Sequence, residues 1–132
     1  MTYYEQEINK VRAECYPNQH QLNAVIATRN YIKDHFAEDL NLDVLAECQC
    51  LSKYHLWRLF KRYYGQTPKQ FLLDRRIEMA KHYLRKGLTM TQTCYAVGFQ
   101  SPGSFSNLFK QRVGSSPLKF QKTQLSISKS KR

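Results

Sequence analysis

Lys53, Tyr54, Trp57, Arg58, Lys61 and Arg62 fall within a single short stretch, and no other part of the chain gathers such specific side-chain chemistry. Arg58 carries a planar fork that can pair with O6 and N7 of guanine or clamp a phosphate, and residue type alone leaves both open. Tyr54 and Trp57 suit thymine methyls or sugar edges, the alternative for Trp57 being a core anchor. Lys53, Lys61 and Arg62 suit phosphates, which position a protein on a duplex without specifying sequence. Farther on, Gly103, Ser104, Asn107, Lys110 and Gln111 form a flatter, less charged set. In it Asn107 has the amide geometry for N6 and N7 of adenine, and Gln111 can assist. Weaker, more permissive reading is expected from this second set.

Other chemistries find little support. No nucleophile with a base, paired carboxylates or phosphate-binding loop is visible, so an enzyme is not expected. Cys15, Cys48, Cys50 and Cys94 form no C-x-x-C pair, and no histidine stands at finger spacing. Cys48 and Cys50 are too close for a normal bridge. Neither metal nor cofactor is expected, and Cys48 and Cys94 read as small core residues. His20, His35, His55 and His82 make no constellation, His55 reading as a cap or a phosphate contact.

What must position the two sets is a repeat. Ser52, Leu56, Leu59-Phe60-Lys61, Gly65, Thr67-Pro68 and Phe71 return 49 residues later as Ser101, Phe105, Leu108-Phe109-Lys110, Gly114, Ser116-Pro117 and Phe120. Each copy has a serine able to cap a helix, an apolar stripe, a glycine for the left-handed stop, and a new cap with a first-turn proline. In the first copy Leu56, Leu59, Phe60 and Tyr63 follow i, i+3, i+4, i+7 and predict the buried side. Tyr54, Trp57, Arg58 and Lys61 then face outward, and a tryptophan beside two cations is not an ordinary solvated face. Leu42 to Glu47, capped by Asn41, predicts a short support helix, with Gln49-Cys50-Leu51 as the turn. A support helix, a tight turn and a second helix with a basic outer face make a helix-turn-helix.

With those residues in view, the sequence resembles the AraC/XylS family of bacterial transcription regulators. The likeness rests on Leu42 to Gly65, Arg76-Ile77-Glu78-Met79-Ala80-Lys81, and Val97-Gly98-Phe99 through Phe120. It implies an all-α fold of about seven helices, with two helix-turn-helix subdomains joined by a long connecting helix. It also implies a cytoplasmic, sequence-specific regulator, usually an activator that contacts RNA polymerase. Asn107 stands where the family usually has an arginine, and Ser104 where it has an aromatic residue or histidine; Thr93 and Cys94 replace an aliphatic and a small residue in the second support helix. These departures imply a weaker hold by the second motif.

Charge points the same way. The net charge is +11. Residues 1–51 hold 4 basic and 8 acidic residues, and residues 52–132 hold 17 basic and 2 acidic, so the balance runs from −4 to +15. Such a field favours a polyanion, and nucleic acid is the commonest inside cells; a basic surface for solubility or for anionic lipid is the alternative from charge alone. Mean hydropathy is −0.63, with no long apolar run, so no membrane span is expected. Met1 is followed by Thr-Tyr-Tyr-Glu-Gln-Glu and no apolar leader core, in keeping with a cytoplasmic location.

The expected organisation is a segment over 1–21 that is either a loose tail or carries a short helix over Tyr3 to Glu14, ended before Pro17; a first helix-turn-helix subdomain over 22–66; a connecting helix over 67–86; a second subdomain over 87–125; and a basic disordered tail over 126–132. The first segment is too short for a ligand-binding domain, implying a short stand-alone regulator or effector control elsewhere. Leu22 to Phe36 is expected as the first helix of the first subdomain, with Leu22, Val25, Ile26, Arg29, Ile32, Lys33 and Phe36 near helical spacing. Pro68 to Arg85 has no breaker, and Leu73, Ile77, Ala80 and Leu84 give one apolar stripe, with Phe71-Leu72, Met79 and Tyr83 giving another. Eighteen helical residues span about 27 Å, comparable to the roughly 34 Å between successive major-groove faces. The expected function is therefore a monomer inserting two recognition helices, about 52–64 and 101–113, into successive major grooves of double-stranded DNA. The competing expectation is a nonspecific or architectural nucleic-acid-binding protein, with a steep salt slope and little sequence preference.

Overall fold

A computed structural model describes residues 3–130, with side-chain surroundings for 19–127. Its elements are all α-helical: α1 (Tyr3–Asp34), α2 (Leu42–Cys48), α3 (Lys53–Tyr64), α4 (Pro68–Arg85), α5 (Met90–Ala96), α6 (Pro102–Val113) and α7 (Pro117–Ser130).

The helix starts follow local chemistry closely. The Ser52 and Ser101 hydroxyls accept from the amides of His55 and Ser104, and Asn41 accepts from that of Asp43. Thr67 with Gln70, and Thr89 with Gln92, close reciprocal capping boxes at α4 and α5. Gly65 and Gly114 end α3 and α6 at φ 73° and 94°, where a side chain would be strained.

Two apolar cores result. The first joins α1, α2 and α3 through Val25, Ile32, Leu45, Leu56, Leu59 and Phe60. The second joins the rest of α4 to α5, α6 and α7 through Ile77, Leu84, Cys94, Val97, Phe105 and Phe109. Phe60 packs on Tyr64 and Phe71 with ring centroids 4.8 and 5.7 Å away. In the second core Phe99, Phe105, Phe109 and Phe120 make an aromatic chain with successive spacings of 5.3, 5.7 and 5.5 Å. Fully burying one such ring contributes about 1.5–3 kcal/mol. Gln121 on α7 closes the far end of α4, its amide donating to the carbonyls of Leu84 and Leu88 at 2.9 and 2.7 Å.

The structure differs from what the sequence predicts at several places. The predicted tail or short helix over 1–21 and the helix from Leu22 are one element, and α1 passes through Pro17; a proline marks a probable boundary, not a certain one. Residues 1 and 2 lie outside the described residues, as do the surroundings of Cys15. The helix ends at Asp34, which leaves Phe36 free to enter the second core from the following loop. Residues 126–130, expected as a disordered tail, continue α7, while 131 and 132 lie outside the described residues. Ile26 is 39% exposed, whereas Thr28 is buried with its hydroxyl donating to the Ala24 carbonyl at 2.8 Å. Tyr63 is 42% exposed and Tyr64 packs inward instead; one helical step of about 100° separates the two, and the spacing rule cannot resolve it at a helix end. Cys48 is exposed and Cys94 buried.

α4 serves both cores by length. Phe71 and Leu72 near its start belong to the first core, and Ile77, Met79, Ala80, Tyr83 and Leu84 to the second. The second predicted stripe is thus divided, Phe71 and Leu72 serving the first core and Met79 and Tyr83 the second.

Candidate nucleic-acid interface

The local design of α3 separates a buried side from an exposed one. Leu56, Leu59 and Phe60 are at most 5% exposed, which turns Lys53, Tyr54, Trp57, Arg58, Lys61 and Arg62 outward. Tyr54 is the most open of these, at 74%. Arg58 and Arg62 make no hydrogen bond or ion pair among the described residues, so both guanidinium groups stand free in solvent. Lys53 sits 3.7 Å from Asp43 at the start of α2, a pairing open to water and so of little strength.

Lys61 lies over the Trp57 ring at 5.1 Å. Trp57 is 38% exposed and, with Leu40, Leu42, Leu45, Leu72 and Arg76, forms part of the wall of a pocket of about 430 Å³.

α6 turns out a plainer face. Phe105 and Phe109 are fully buried, and Gly103, Ser104, Asn107, Lys110 and Gln111 are exposed. Ser104 is partly committed to the cap, its oxygen accepting from the Ser101 hydroxyl at 2.9 Å. Asn107, Lys110 and Gln111 have no partner among the described residues. A Cβ placed on Gly103 would meet nothing within 4 Å, so packing does not demand a glycine there. Arg112 is drawn aside to pair with Asp74 on α4. The outward face of α3 thus offers four cations, Lys53, Arg58, Lys61 and Arg62, against Lys110 on the matching face of α6.

The two turns reaching these helices are also alike in plan. After α2 the amides of Cys50 and Leu51 donate to Glu47 and Ala46; after α5 those of Gly98 and Phe99 donate to Tyr95 and Cys94. The pivot residue is left-handed in both, Cys50 at φ 57° and Gly98 at φ 98°. A Cβ on Gly98 would lie 2.8 Å from the carbonyl oxygen of Ala37, in the loop between α1 and α2.

That loop is gripped by a residue that sequence reasoning left without a role. Arg76 on α4 donates from Nε to the Phe36 carbonyl at 2.7 Å and from a terminal nitrogen to the Glu38 carbonyl at 2.9 Å. Its guanidinium lies over the Phe99 ring at 5.5 Å. Burial lowers its pKa from the ordinary value, with nearby Asp39 acting the other way. The available signal was a cation next to Ile77 on the helix that packs against both cores.

A helix-turn-helix domain family matches residues 45–123, spanning α2 to α7. The HTH-type transcriptional activator RhaS of Escherichia coli is 36% identical over 98 residues, covering 74% of this chain and 34% of its own length. The chain thus spans about a third of that relative. The C-terminal domain of AraT, a response regulator from Geobacillus stearothermophilus, superposes with a TM-score of 0.73 at 31% identity, covering 76% of this chain and 84% of its own. The DNA-binding domain of AdpA, solved in complex with a target DNA, shares the fold at a TM-score of 0.71 and 23% identity, covering 75% of this chain and 90% of its own.

Proposed function

The chain belongs to the AraC/XylS family of helix-turn-helix transcription regulators, and from that premise we propose that it is a sequence-specific regulator of transcription that inserts α3 and α6 into successive major grooves of double-stranded DNA. One observation carries the reading: two helices of the same plan each expose a polar face with unpartnered side chains, and both are built onto the unbroken α4. In this reading Arg58 reads a guanine, with Tyr54 and Trp57 against thymine methyls or sugar edges. Lys53, Lys61 and Arg62 hold phosphates. On α6, Asn107 reads adenine with help from Gln111, Lys110 holds the backbone, and Gly103 and Ser104 let the helix lie close.

The reading units are residues 22–66 and 87–125, joined by 67–86. Carrying both on one chain, the protein binds as a monomer, the second contact strengthened by the effective concentration the first creates. Kinship with a protein named as an activator supports activation, through contact with RNA polymerase in the cytoplasm. Among the described residues no helix is long and apolar enough to cross a membrane.

The experiment is selection of bound sequences from random duplex DNA, with the selected complex then sized. The expected result is two unlike half-sites about one helical turn apart, with one protein per site. Equal affinity for selected and random duplexes would leave a nonspecific, charge-driven binder instead.

A further inference from the structure

Besides sharing α4, the two core units touch through the loop after α1. The backbone from Phe36 to Glu38 follows directly from the first unit, yet the Phe36 ring packs into the second core. Arg76 holds this segment from α4 by the two carbonyls already described. Gly98 meets it from the turn of the second motif, where the Ala37 backbone lies too near for any side chain. Arg75 adds to the same junction, with its guanidinium over the Phe36 ring at 5.6 Å and Nε 3.4 Å from the Lys33 carbonyl. One planar fork thus ties a loop of the first unit to the connecting helix while lying on Phe99 of the second.

We infer that Arg76 is a positioning residue, whose fork on the Phe36 and Glu38 carbonyls fixes the angle between α3 and α6 and so sets the half-site spacing that the chain accepts. The inference rests on the two-groove reading above. Its physical basis is directional. α4 alone fixes a length between the units, but helices bend over gentle radii, and a load applied at their ends would swing one unit against the other. Two hydrogen bonds from a planar cation to separate carbonyls oppose that swing, and bonds made by a charged group are the stronger kind. One added base pair moves a half-site by about a tenth of a turn, so a stiff junction penalises it and a loose one follows.

The test compares the full chain with Arg76→Met and Arg76→Lys on duplexes carrying both half-sites at the preferred spacing, and at one base pair more or fewer. Residual dipolar couplings of the free proteins are measured in parallel. The wild type is expected to lose about tenfold or more off the preferred spacing, the size of one hydrogen bond to a charged group. In Arg76→Met that penalty should fall to about threefold or less, affinity for an isolated half-site being unchanged, with Arg76→Lys in between. In the free wild type one alignment tensor should fit both units, and Arg76→Met should require two. Should Arg76→Met not fold, Arg76→Lys, which keeps the charge, carries the same comparison. The inference is overturned if the variants retain the wild-type penalty and a single tensor. A wild type indifferent to spacing would bring down the two-groove reading and the spacing role together, while the couplings would still separately report whether Arg76 aligns the units.

Discussion

α3 and α6 were built to one plan and then put to different use. Both begin at a serine cap, bury aromatic and aliphatic residues on one side, and stop at a left-handed glycine. α3 spends its outer face on cations and aromatics, and the turn before it pivots on Cys50, which a Cβ strains. α6 has a nearly neutral outer face, and its turn pivots on Gly98, wedged against the neighbouring loop. The repeat therefore preserves what holds a backbone in shape and lets the rest diverge. Exposed cations and aromatics are concentrated in the first motif, and close internal fit in the second.

The largest expected contrast lies in the pivots. Gly98→Ala combines a left-handed backbone with a collision against the Ala37 carbonyl, and should cost about 3 kcal/mol in urea unfolding. A cost below about 1 kcal/mol would mean that the two turns are equally tolerant. Next come the outward faces of α3 and α6. Arg58→Ala should weaken binding to the selected site by about 1–3 kcal/mol and relax one base position, whereas Asn107→Ala should cost about 1 kcal/mol or less. Equal losses would erase the proposed asymmetry, and a loss from Arg58→Ala that is uniform over all sequences would make Arg58 a phosphate contact.

Cys50→Gly reverses the first substitution, and should raise stability by about 1 kcal/mol, since glycine adopts a positive φ freely. A melting temperature that stays put or falls would show that the thiol makes up for its strained backbone. Smallest is a change in salt dependence. Lys61→Ala should flatten the slope of log affinity against log salt by about 1. If the slope does not move, Lys61 does not lie against a phosphate.

The parts legible in the sequence were those decided by neighbours along the chain. Ser52, Thr67, Thr89 and Ser101 act as caps because a cap is settled within three residues. The outward sides of α3 and α6 followed from the spacing of their buried rings. What escaped was decided by contacts distant in sequence. Nothing local distinguishes Arg76 from the exposed cations around it, since the carbonyls it meets lie 40 and 38 residues away. The crowding of Gly98 by Ala37 also depends on a loop from the other unit. The Thr93 hydroxyl, fully buried and without a partner among the described residues, is likewise invisible to local rules. Cys48 was taken as core because cysteine is so often buried, yet it ends a helix only seven residues long, whose inner side is already filled by Leu45 and Ala46.

Because the two motifs follow one another on a single chain instead of being related by a twofold axis, a duplex gripped by both would not look the same from its two ends. A pair of identical subunits reads a palindrome and has no front or back. Here the cation-rich copy leads and the plainer copy trails, which would give a site bound in that way a polarity, so that reversing the operator would turn the protein around with respect to whatever is transcribed beside it.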